Sequence, residues 1–89
     1  MKMLISEELK SIFYEINEEN KSLSEWAEIE SDDMFQTKNY CGGFDAIENA
    51  FCFSYYDENN KEYWFQLSLD EVAKAIKDEI KEIEIRPAE

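Results

Sequence analysis

The chain has 89 residues, 44% of them apolar, and its 22 acidic side chains outnumber nine basic ones to give a net charge of −13. This length predicts a single domain spanning residues 1–89. Nucleic acids and anionic membranes are bound through Lys and Arg, so the charge argues against direct binding to either and favours a basic partner. Because no apolar run reaches the length of a signal sequence or a ~20-residue membrane span, we expect a cytoplasmic protein.

A helix is predicted near the start of the chain. Ser6 is a favourable N-cap, and Glu7 and Glu8 follow in the first turn, where the helix dipole favours acidic side chains. Apolar residues then recur at helical spacing and predict one buried stripe. The stripe consists of Ile5, Leu9, Ile12, Phe13 and Ile16. The polar run at 17–20 predicts the end of this helix.

The segment 22–33 fits two structures. Ser22 and Glu25 have the spacing of a capping box, which favours a short helix, whereas the alternation of Leu23, Ala27 and Ile29 fits a strand. The sequence at 31–33 predicts a turn.

A strand is predicted over residues 34–40. It should end at a turn formed by Cys41-Gly42-Gly43, because glycine readily adopts the positive φ that such turns require.

Two strands on either side of the polar turn 57–61 predict a β-hairpin. Apolar side chains alternate along both strands, so the register follows from side-chain parity. The register that keeps the apolar face intact pairs Phe51 with Leu67, Phe53 with Phe65 and Tyr55 with Tyr63. In that register Tyr56 and Trp64 lie on the opposite face. There they are either covered by another segment, such as residues 22–29, or exposed as a binding surface.

A second helix is predicted at the end of the chain, before Pro87. Ser68 and Glu71 form a capping box ahead of a helical apolar stripe. The stripe consists of Leu69, Val72, Ala73, Ile76, Ile80 and Ile83. We therefore predict an α+β fold with an N-terminal and a C-terminal helix packed on an antiparallel sheet. The sheet has three strands, or four if residues 22–30 are extended.

Few residues are suited to catalysis. The chain has no histidine, which removes nucleophilic schemes based on Ser-His or Cys-His pairs. Cys41 and Cys52 fall short of a zinc site, and no acidic loop has the spacing of a calcium loop. The segment 42–45 lacks the Lys-Ser/Thr of a phosphate-binding loop. We therefore predict that the protein is not an enzyme and has no catalytic residue, metal ion or cofactor.

The acidic residues are concentrated in one segment. Residues 15–33 hold eight of them against Lys21 alone, while the spacings Asp70–Lys74 and Asp78–Lys81 predict local compensation in the last helix. Solubility alone is one explanation of such a segment, although a small domain needs a net charge of only about 2–8 for it. The predicted partner-binding residues are Glu15, Glu18, Glu19, Glu25, Glu28, Glu30, Asp32, Asp33, Tyr56 and Trp64.

Dense carboxylates on a folded scaffold can stand in for the phosphates of a nucleic acid, since duplex DNA carries one charge per ~1.7 Å of axis. We therefore predict an inhibitor that occupies the basic nucleic-acid-binding surface of a partner, such as a nucleic-acid-binding enzyme or a nuclease. In size, acidity and lack of catalytic groups the chain is similar to phage-encoded DNA mimics, including many anti-CRISPR proteins. That resemblance implies an anti-defence role in the cytoplasm of a host cell.

Two alternatives stay open. One is an immunity protein or antitoxin that neutralises a basic nuclease toxin by the same electrostatics. The other is a small adaptor or subunit that binds its partner through the aromatic sheet face of Tyr56 and Trp64.

Overall fold

A computed structural model describes residues 1–29 and 34–88, so the turn predicted at 31–33 lies outside the described residues. In chain order the elements are β1 (Lys2–Leu4), α1 (Glu7–Glu19), α2 (Leu23–Ala27), β2 (Phe35–Gln36), β3 (Tyr40–Asp45), β4 (Ala50–Tyr56), β5 (Glu62–Leu67), α3 (Leu69–Ile76), β6 (Glu82–Glu84) and β7 (Arg86–Pro87). The main sheet is antiparallel with the order β2-β3-β4-β5-β7, and β1 pairs with β6 separately. The predicted α+β class is confirmed, with five strands in the main sheet where three or four were expected.

The helices begin at the predicted caps. The Ser6 hydroxyl accepts a hydrogen bond from the Leu9 N–H at 3.1 Å. The capping boxes of Ser22 and Ser68 are both complete, which assigns the ambiguous segment to the short helix α2. Asn20 ends α1 in the left-handed region with φ of 49°, a conformation that asparagine tolerates better than most residues. No helix within the described ranges is long and apolar enough to cross a membrane.

The hairpin of β4 and β5 has the predicted register. Phe51 pairs with Leu67, Phe53 with Phe65 and Tyr55 with Tyr63. These aromatic and aliphatic residues lie on the face of the sheet that contacts the helices, which we call the core face. The opposite side is called the outer face. Parity along the strands therefore predicted correctly which side chains lie on the core face, where Tyr55 and Tyr63 are half-buried and the other four are buried.

All three helices pack on the core face. The rings of Phe13 in α1 and Phe53 in β4 meet edge to face with centroids 6.4 Å apart. Trp26 of α2 is fully buried and approaches Phe51 with centroids 5.1 Å apart, and Val72 of α3 belongs to the same buried cluster. The main sheet is therefore covered by helices on one side only.

The turn predicted at Gly42-Gly43 is wrong. Both glycines lie within β3, and no glycine in the described residues has a positive φ. The chain turns earlier, at 37–39, where the Thr37 N–H donates to the Tyr40 carbonyl at 2.8 Å. The strand predicted over 34–40 is accordingly divided between β2 and the start of β3. Glycine is needed at position 42 for space, because a Cβ there would lie 2.8 Å from the Phe53 Cα and against the Cys52 carbonyl oxygen.

Substituting Gly42 with alanine is expected to lower the free energy of unfolding by about 1–3 kcal/mol. The added methyl group would push β3 away from β4, whose backbone cannot withdraw without breaking the ladder. Urea unfolding followed by circular dichroism measures the loss. Cys41→Ala, one residue away on the outer face, is the matched control. Equal stability of the Gly42→Ala variant and the original chain would contradict the close approach of the two strands.

The C-terminal helix is shorter than predicted. It ends at Ile76, and Asp78 follows in the left-handed region with φ of 61°. Ile83 and Ile85 are buried while their neighbours Glu84 and Arg86 are exposed, an alternation that fits strands better than a helix. Strand β6 then pairs with β1, and β7 adds to the edge of β5. The predicted helical stripe that included Ile80 and Ile83 was therefore wrong beyond residue 76.

Candidate functional site

The predicted acidic cluster is spread over the ends of two helices. Glu15, Glu18 and Glu19 lie on the exposed side of α1, opposite its buried stripe. Glu25 and Glu28 are exposed in α2 and at its C-terminal end. The remaining three predicted residues of the cluster, Glu30, Asp32 and Asp33, lie outside the described residues.

Two members of the cluster have partners within the protein. The Glu25 carboxylate accepts the Ser22 N–H at 2.9 Å, and the hydrogen bonds from the Ser22 backbone and side chain lower the pKa of Glu25. Glu25 therefore stabilises the start of α2. Glu19 forms an ion pair with Lys21, whose ammonium lies 5.4 Å from the centroid of the Trp26 ring. The capping hydrogen bond and the ion pair make the carboxylates of Glu25 and Glu19 less available to a partner.

Glu18 and Glu28 lie where a negative charge is unfavourable to the helix dipole. The last turn of α1 contains Glu18 and no basic residue. Glu28 occupies the C-cap of α2, whose last turn also has no basic residue. The C-terminal end of a helix carries partial negative charge and favours Lys or Arg, so acidic side chains weaken it. Helix α3, by contrast, has Lys74 in its last turn, 3.3 Å from Asp70. The stability of these helices therefore does not explain Glu18 and Glu28.

The acidic residues near α3 are compensated differently from the prediction. The expected Asp70–Lys74 ion pair is present. Asp78, however, is paired with Lys10 of α1 at 2.7 Å, where Lys81 was expected. The hydrogen bond between them lowers the pKa of Asp78 and raises that of Lys10. Its effect is to join α1 to the residues after α3.

Tyr56 and Trp64 lie on the outer face, as parity predicted. Tyr56 is half-buried and Trp64 is 44% exposed. The alternative in which residues 22–29 cover them is wrong, because α2 packs on the core face through Trp26. Strand β7 runs beside Trp64, where Arg86 is its cross-strand neighbour.

Glu62, which was not among the predicted site residues, is hydrogen-bonded to Trp64 and lies opposite Tyr56 in the ladder. Its Oε2 accepts the Trp64 Nε1–H at 2.9 Å and the Ser54 hydroxyl at 2.8 Å. These bonds, led by that from Trp64 and followed by those from Ser54 and Tyr56, lower the pKa of the Glu62 carboxyl. The predicted register already placed Glu62 opposite Tyr56, so pairing the outer-face residues would have found it.

A groove of about 690 Å³ lies along this outer face. Cys41, Cys52, Trp64 and Gln66 contribute to its lining together with Arg86. Burial is the main cause that raises the pKa of the Cys52 thiol, which makes it a poor nucleophile.

No group of three or more metal-ligating side chains occurs within residues 1–29 and 34–88.

Another carboxylate outside the predicted set is structural. The Glu8 Oε2 accepts the Thr37 hydroxyl at 2.6 Å and the Asn39 N–H at 2.7 Å. Helix α1 is thereby tied to the turn between β2 and β3.

The described structure thus contains two candidate surfaces: the acidic helix ends, and the outer face with its aromatic groove. No family model matches the chain, and comparisons with curated proteins and with solved structures likewise gave no match.

Proposed function

We propose that this protein binds the basic, nucleic-acid-binding surface of another protein and blocks it, as a mimic of nucleic acid. The observation that carries the proposal is the placement of Glu18 and Glu28 at helix C-terminal ends without basic neighbours in those turns. Carboxylates at such positions weaken the helices that hold them, and a basic partner would offset the repulsion.

The scaffold suits such a role in size and rigidity. The described residues extend over 36 × 27 × 20 Å, and the longest dimension is close to one turn of duplex DNA, about 34–36 Å. Glu15 and Glu18 are held on a thirteen-residue helix whose apolar stripe is buried in the core. Negative charge fixed on a rigid element binds a basic groove with little loss of conformational entropy.

Affinity capture tests the proposal. The protein would be immobilised and exposed to nuclease-treated extract of the cells in which it is made. We expect it to retain a basic nucleic-acid-binding protein that is released as salt rises from about 0.1 M to about 1 M, because the Debye length falls from ~10 Å to ~3 Å. Retention of a toxin nuclease would indicate the immunity role. A neutral protein that stays bound at high salt would contradict both.

A further inference from the structure

The centre of the outer face combines an exposed aromatic ring with an oriented carboxylate. Trp64 is 44% exposed, and its Nε1–H donates to Glu62 at 2.9 Å, which fixes the carboxylate beside the indole. The groove of about 690 Å³ passes over the same tryptophan. The face therefore has a defined recess and not a flat polar surface.

The Glu62 carboxylate has capacity for a further donor. An ionised carboxylate offers about four acceptor positions. Ser54 and Trp64 each donate one hydrogen bond to it, both to Oε2. A donor from a partner would take a remaining position. The same two bonds are the main causes that lower the pKa of Glu62, which favours the ionised carboxylate.

We propose that this recess binds an arginine side chain of the basic partner, with the guanidinium stacked on Trp64 and hydrogen-bonded to Glu62. A guanidinium is planar, stacks on aromatic faces and presents several donors at once, whereas the lysine ammonium is a compact and more strongly hydrated charge. The site rests on the proposed function, which supplies the basic partner, and it identifies one chemical group that the partner must present.

The charges around the recess favour a cation. Glu48, Glu84 and Arg86 line the groove, and Glu84 is paired with the N-terminal ammonium. Glu62 lies beside the groove, bonded to Ser54 and Trp64 of its lining, so Glu48 and Glu62 leave an excess of negative charge over Arg86. Within the described residues Arg86 takes part in no ion pair, and the cations placed over aromatic rings are Lys21 and Lys61. Arg86 lies beside Trp64 as its cross-strand neighbour, but it is not among the cations placed over an aromatic ring in the described part of the chain.

The test uses the two indole N–H signals in a ¹⁵N-correlated NMR spectrum, since the chain has two tryptophans. Tri-arginine amide, tri-lysine amide and neutral tri-citrulline amide would be titrated into the unaltered protein. We expect tri-arginine to shift the Trp64 signal saturably and to bind about three-fold or more tighter than tri-lysine. Tri-citrulline should leave the signal unmoved, and the buried Trp26 serves as an internal reference. Equal affinities for the arginine and lysine peptides, or an unmoved Trp64 signal, would overturn the assignment.

A matched pair of variants separates the site from general electrostatics. Glu62→Gln should weaken tri-arginine binding about five-fold or more, because a charge-assisted hydrogen bond is lost. Glu58→Gln removes the same charge from the turn of the same hairpin and should change little. Equal effects of the two variants would overturn the site. Lysine substitutions at Glu15, Glu18 and Glu28 should leave the arginine-specific shift of Trp64 in place, so a failure of the proposed function is distinguishable from a failure here.

Discussion

Replacing Trp26 with alanine is expected to lower the free energy of unfolding by about 3–5 kcal/mol, the usual range for a large aromatic side chain removed from a core. Trp26 is fully buried, and its ring contacts Phe35, Phe44 and Phe51 with centroids 6.2, 6.3 and 5.1 Å away. Small domains are stable by only about 5–15 kcal/mol, so the variant should be largely unfolded near 37 °C. Thermal and urea unfolding followed by circular dichroism measure this loss.

The two tryptophans provide the control. Trp64→Ala removes an equally large side chain from the exposed outer face and should cost about 1 kcal/mol or less. Trp26→Phe should retain much of the stability, because it fills part of the space and removes an indole Nε1–H that is buried without a hydrogen-bond partner among residues 1–29 and 34–88. If Trp26→Ala and Trp64→Ala lost the same stability, the assignment of Trp26 to the centre of the core would be contradicted.

Charge reversal at Glu15, Glu18 and Glu28 is expected to weaken partner binding about ten-fold or more, mainly through the association rate. Three lysines in place of three glutamates change the net charge from −13 to −7. The same change should leave the melting temperature equal or higher, because basic side chains near helix C-terminal ends interact favourably with the dipole. Surface plasmon resonance and differential scanning calorimetry measure the two effects.

The control variant carries the same net charge with the cluster intact. Glu58, Glu79 and Glu82 are exposed residues outside α1 and α2, and their joint replacement with lysine also gives −7. Asp78 is unsuitable for this purpose because it is paired with Lys10. If both triple variants lost affinity to the same extent, total charge would explain the association and the acidic helix ends would have no special role.

Local sequence signals predicted the parts of the fold that depend on neighbouring residues. The caps at Ser22 and Ser68 and the pairing of Phe53 with Phe65 follow from spacings within one or two elements, and the structure has them. The errors involve contacts between distant parts of the chain. Gly42 is required by the approach of β4, and residues 82–84 become a strand because β1 at the other end of the chain pairs with them. Neither partner is indicated by the local pattern.

The candidate site was predictable to a similar degree. Parity placed Trp64 on the outer face, and composition alone identified the acidic segment. Composition does not show that Glu25 is engaged in its cap or that Asp78 pairs with Lys10, since both depend on side-chain geometry. The predicted register places Glu62 opposite Tyr56, but its hydrogen bonds to Trp64 and Ser54 depend on side-chain geometry that the sequence does not give.

Competition between this protein and nucleic acid for the captured partner tests the central claim most directly. A labelled nucleic acid of the kind that the partner binds would be held in complex with it, and the fluorescence anisotropy followed as this protein is added. Mimicry predicts that this protein releases the labelled nucleic acid. It also predicts that the apparent Kd of this protein for the partner rises in proportion to the concentration of competing nucleic acid. A ternary complex, in which the label stays bound while this protein also binds, would contradict the account.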